Sequence, residues 1–165
     1  MSEIFDRAVL YAKKTIISDG NLMPVLMAYT SDEVIVIPME RLIGENRDMT
    51  IADLLTIYFL LHGVTSYVLM HEAMLQHEPA NGGKPRKVEA VMVVEVGRGT
   101  QSVSVHEVVR EPLSIIPFPM KPGNLEGKLV SLLPKEDLAV EDVMFEIAES
   151  IINAMGSKRL PLRYA

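Results

Sequence analysis

The chain of 165 residues is long enough for one domain with a full hydrophobic core and too short for two ordinary ones. Its 48% hydrophobic and 23% charged residues exclude a disordered chain, which lacks the apolar content to offset its ordering entropy. A formal charge of −6 sets the average field against phosphate backbones and anionic lipids, and the absence of cysteine removes disulfides, thiolate zinc sites, iron–sulfur clusters and cysteine nucleophiles.

From Ser2 to Ile16 the apolar residues Ile4, Phe5, Ala8, Val9, Ala12 and Ile16 recur at helical spacing, which predicts an amphipathic helix stopped by Asp19-Gly20-Asn21. Two apolar runs, Met23 to Tyr29 and Val34 to Pro38, flank the small polar residues Thr30-Ser31-Asp32-Glu33 and read as a hairpin. Thr50-Ile51-Ala52-Asp53 has the form of a capping box, so a second helix is expected from about Ile51 to His62, ended by Gly63 and with His62 placed to interact favourably with the helix dipole when protonated. Thr65 to Leu75 reads as a strand and Gln76 to Lys87, with two prolines and two glycines, as a loop. Val88 to Val96 and Ser102 to Arg110 read as two further strands joined through Gly97-Arg98-Gly99-Thr100. Pro112 to Pro134 holds five prolines and is expected to be an extended connection with room for one edge strand. Val140 to Met155 places Val140, Val143, Met144, Ile147, Ala148, Ile151, Ile152 and Met155 in a helical register, with Glu141, Asp142, Glu146, Glu149 and Asn153 opposite.

This order predicts an α+β fold: one mainly antiparallel sheet of about five strands, covered by two or three helices in the order α-β-β-α-β-β-β-α. Residues 1–156 are expected to form a single domain and 157–165 a loosely held tail. Leu54 to Met70 carries no Asp, Glu, Lys or Arg, but His62, Gly63, Thr65 and Ser66 interrupt it, so a buried helix followed by a buried strand is expected rather than a membrane span. The N-terminal MSEIFDRAVLYAKK carries acids and lacks an uninterrupted apolar stretch, which together with the missing cysteines makes the cytoplasm the expected location.

The segment Asp19-Gly20-Asn21-Leu22-Met23-Pro24, the strand end Glu72-Ala73-Met74, and Pro85-Arg86-Lys87-Val88-Glu89-Ala90 after a polar loop make the chain resemble a group of small, uncharacterised bacterial and phage α+β proteins. In that group a Glu-Ala-Trp strand end precedes a Pro- and Arg-containing loop and a second Glu-Ala; Met74 stands here in place of the Trp. The resemblance covers about Ser2 to Val109 and implies the fold but no reaction.

Histidines and carboxylates are the remaining strong metal ligands, which makes His71, His77 and His106 the candidate metal set of a hydrolase with Glu72 or Glu107 as general base. On a regular strand, however, His71 and Glu72 point to opposite faces. Glu89 and Glu95 share a strand face but stand about 20 Å apart, too far for a shared acid/base pair. No nucleophile elbow or phosphate-binding loop is present. Lys84, Arg86 and Lys87, with Lys158, Arg159 and Arg163, are the basic clusters; no aromatics interleave them, and nucleic acid is not the expected partner. The leading expectation is a non-enzymatic binding or self-associating domain, a homo-oligomer or a binder of a protein partner, with no cofactor. Glu72, Arg86, Glu107 and Phe118 are the candidate functional surface, and Ile115, Ile116, Phe118 and Leu132 the apolar contact residues.

Overall fold

A computed structural model describes residues 2–39, 48–77, 79, 81–118, 125 and 127–162 of the chain. Helix α1 (Glu3–Asp19) starts at Ser2, whose hydroxyl accepts the Phe5 amide and thereby satisfies one of the donors a helix start leaves over. It ends at Gly20, which takes a left-handed φ of 82° and donates its N–H to the Ile16 carbonyl at 2.9 Å. Strands β1 (Val25–Tyr29) and β2 (Glu33–Pro38) form the expected hairpin. Helix α2 (Asp48–His62) begins two residues before Thr50, so Thr50 lies inside the first turn rather than at the expected capping position. Strands β3 (Ser66–His77), β4 (Arg86–Gly97), β5 (Thr100–Arg110) and β6 (Leu113–Pro117) follow as an antiparallel meander. A 3-10 turn (Lys128–Val130), helix α3 (Asp142–Ala154) and strand β7 (Lys158–Pro161) follow.

All strands join one antiparallel sheet in the order β6-β5-β4-β3-β1-β2-β7, so the fold is α+β, with seven strands in place of about five. Two additions account for the difference. β6 is the edge strand inside the proline-rich passage; β7 recruits Lys158–Pro161, expected in a loose tail, by pairing with β2. β3 and β4 also run further into the expected loop, to His77 and from Arg86, because each paired backbone group gains a partner that propensity at Gln76 or Lys87 does not foresee. The sheet edges are only five and four residues long and end in Pro117 and Pro161, which limits edge-to-edge association.

The two sheet faces are covered unequally. On one lie α2 and α3, whose Leu55, Tyr58, Phe59, Ala148 and Ile152 close over Leu26, Ile35, Ile37, Tyr67, Leu69 and Val94. The proline-rich chain also returns across this face: Gln101 exchanges two hydrogen bonds with the Leu125 backbone, and the buried Tyr67 hydroxyl donates to the Leu129 carbonyl at 2.8 Å and accepts the Leu132 amide at 3.2 Å. Among the described residues α1 is the one helix on the other face, with Phe5, Ala8, Ala12 and Ile16 packed on Val68, Met70, Val91, Val93 and Val108. α3 buries Ala148 and Ile152 but leaves Val143, Ile147 and Ile151 of its apolar register exposed. No helix among the described residues is long and apolar enough to cross a membrane.

Candidate functional site

Strand alternation decides which candidate residues can meet. His71 and His77 lie on the α2 side of β3, whereas His106 is paired with Val91 and therefore shares the α1 side. His71 and His77 are themselves six residues apart on one strand, about 20 Å at strand rise. The structure therefore does not bring the three together, and among the described residues no group of three or more His, Asp or Glu side chains is placed to hold a metal ion. His71 Nδ1 instead lies 2.8 Å from the Glu72 carbonyl, and His106 Nδ1 3.1 Å from the Ser104 hydroxyl.

Three of the four candidate surface residues do gather. Arg86 and Glu107 form a two-pronged pair at 3.1 and 3.3 Å on the α2 side, where Arg86 stands opposite His77 and the His77 ring meets Phe118 edge-on at 5.7 Å. Here the guanidinium fork is matched by a carboxylate, although Arg86 itself stays half exposed. Glu72 lies on the α1 side, 3.9 Å from Arg110. Arg110 also bonds Glu89 at 2.6 Å and the Gly20 carbonyl at 2.6 Å, which places its charge at the C-terminus of α1 and ties that helix end to the sheet. Of the expected contact residues, Leu132 is fully buried in the α2-side core, Ile115 packs toward α1 and Phe118 toward Ala90, Met92 and Val105; Ile116 alone remains exposed. Their apolar character serves the strap and the edge strand. Arg163 lies outside the described residues.

His62 departs from its expected role. Burial, and then the Arg159 guanidinium, push its imidazole below the ordinary value, outweighing Glu149 and Glu33, which disfavours protonation of the ring at the end of α2. Its Nε2 sits 3.5 Å from Glu149 Oε2 and has no hydrogen-bond partner among the described residues, while its ring lies 4.4 Å from that of buried Tyr58, tilted by 54°. Arg159 itself is held by Glu33 across the β2–β7 pair. The unfolded chain takes up the His62 proton more readily than the folded one, so this contribution to stability is complete above the ordinary imidazole value near 6.5 and is lost as pH falls below it. The melting temperature of the wild type is therefore expected to drop between pH 7.5 and pH 5 more steeply than that of His62→Gln; a calorimetric pH series with parallel slopes for the two would contradict this.

Sequence reading missed the apolar groove beside α1. Because α1 sits over the β3–β4 half of the sheet, the same face of β1, β2 and β7 carries Val25, Met27 and Val36, which are half-buried, and Leu160, which is exposed. Between this surface and the flank of α1 lies a groove of about 380 Å³, walled by Ile4, Ala8, Tyr11, Met27, Tyr29 and Leu162, with Glu3 and Arg7 at its rim. Glu3 and Arg7 pair with each other at 2.7 Å, which leaves the interior apolar. Two signals in the sequence point here in retrospect. The first helix carries Leu10, Tyr11 and Ile17 beyond its buried stripe, and the first hairpin is apolar on both faces, as a strand is when both sides find apolar neighbours. Comparison with protein-family models finds no match, and neither the curated proteins nor the solved structures contain one.

Proposed function

We propose that the protein is a non-enzymatic binding domain that takes an apolar guest in the groove between α1 and the first hairpin. The observation that supports this is the unequal covering of the sheet: one face is closed by two helices and a strap, whereas the other keeps an apolar concavity of ligand size beside a single helix. Among the described residues the polar clusters bring no group of metal-ligating side chains together, Arg86–Glu107 and Arg110–Glu89 are ion pairs, and His106 lies on the other sheet face from His71 and His77. A neutral apolar dye such as Nile red is expected to bind at one equivalent. Ile4→Trp, which puts bulk into the groove from α1, is expected to weaken that binding at least about tenfold, or about 1.4 kcal/mol. Met74→Trp, at a 63% exposed position near the end of β3 and outside the groove, serves as the control and is expected to leave it unchanged. Equal dye binding by the two variants would refute the assignment.

A further inference from the structure

Tyr29 is the one deeply buried polar side chain in the groove wall, at 8% exposure. Its hydroxyl has a single hydrogen-bond partner among the described residues, the Met27 thioether sulfur at 4.0 Å, a weak acceptor that also lines the groove. The fully buried tyrosine of β3 shows what a satisfied phenol looks like here: the Tyr67 hydroxyl donates to one backbone carbonyl and accepts one backbone amide. A buried donor facing only a thioether retains most of its hydrogen-bonding capacity for whatever enters beside it.

The charge nearby sets the sign of the guest. Glu95 is on the same sheet face, opposite Val68, which is itself opposite Met27; its carboxylate accepts the Ser2 hydroxyl at 2.5 Å. Burial and the Glu95 charge both push the Tyr29 phenol above its ordinary value, so it remains a donor and its surroundings disfavour a second anion. At the rim, Glu3 and Arg7 compensate each other and offer no unpaired charge of either sign. The remaining wall, Ile4, Ala8, Met27 and Leu162, is apolar, and about 380 Å³ suits a small ring or short chain.

We propose that the groove binds a neutral, mostly apolar small molecule carrying one carbonyl acceptor, held by a hydrogen bond from the Tyr29 hydroxyl. This rests on the groove being a binding site, and the test separates the two ideas. Acetophenone, ethylbenzene and benzoate share one ring and differ in acceptor and charge; each is titrated into the full chain and followed by NMR chemical shifts of groove residues. The ratio of acetophenone to ethylbenzene affinity is expected to fall about tenfold from wild type to Tyr29→Phe, with ethylbenzene itself little affected. Benzoate is expected to bind more weakly than acetophenone, and Glu95→Gln to narrow that gap. An unchanged ratio in Tyr29→Phe overturns the carbonyl assignment and leaves the groove. Benzoate binding more tightly than acetophenone to the wild type overturns the neutral guest, and failure of both neutral aromatics to bind overturns the groove itself. Should Tyr29→Phe fold poorly, the Glu95→Gln comparison still decides the charge, and an unchanged benzoate gap there counts against the proposal.

Discussion

Ile152→Ala is expected to lower the unfolding free energy by about 2–5 kcal/mol, measured by urea denaturation, because the truncation leaves a cavity that its surroundings fill only in part. Among the described residues of α3, Ala148 and Ile152 are the buried ones, and Ile152 is fully enclosed in the core shared with α2 and the sheet. Ala148 has little side chain to contribute, so Ile152 carries much of the attachment of α3. The loss is a large share of the roughly 5–15 kcal/mol that typically separates folded from unfolded chains. Ile151 precedes it in sequence but faces outward at 37% exposure, and Ile151→Ala is expected to change stability by no more than about 0.5–1 kcal/mol. Similar losses for the two would mean that α3 is rotated about its axis relative to the arrangement described.

Tyr67→Phe is the second large effect, expected at about 1–3 kcal/mol, because the missing hydroxyl leaves the buried Leu132 amide and the part-buried Leu129 carbonyl without their partner. The phenol is fully buried against Phe59, their rings 5.4 Å apart, and burial pushes its pKa up to about 12, so it is a neutral donor throughout the accessible pH range. It donates to Leu129 and accepts from Leu132, whose side chain is also fully enclosed. The consequence is local as well as global. Hydrogen exchange at the Leu132 amide is expected to accelerate beyond what the lower overall stability explains, whereas exchange in β4 follows the global change. Uniform acceleration would place the strap's anchorage elsewhere, for example at Gln101.

These two residues and the groove illustrate where the chain's own pattern is sufficient and where it is not. The helical register around Ala148 and Ile152, the Gly20 stop of α1 and the β-rich runs that became β1 to β5 are each legible from the sequence, because spacing and turn chemistry act over a few residues. The α+β class and the antiparallel meander follow from the order of those elements. The edge strands were not legible in the same way. Leu113–Pro117 and Lys158–Pro161 are short and proline-bounded, and they become strands because β5 and β2 offer them backbone partners.

The site depends on longer-range facts still. That His106 is on the other sheet face from His71 and His77 follows from the β4–β5 register, and a shift of one residue would reverse it. Arg86 finding Glu107, Arg110 finding Glu89 and the end of α1, and the lowering of the His62 pKa by burial and by Arg159 are matters of which strands and helices become neighbours. By itself the sequence determined the composition class, the α+β order and the apolar stripes, because these depend on local periodicity and on how much surface the chain can bury. Only the tertiary structure decided that one helix covers half of one sheet face and leaves Tyr29 beside an apolar groove, because covering is a property of packed layers, in which a residue's burial is set by elements far away in the chain.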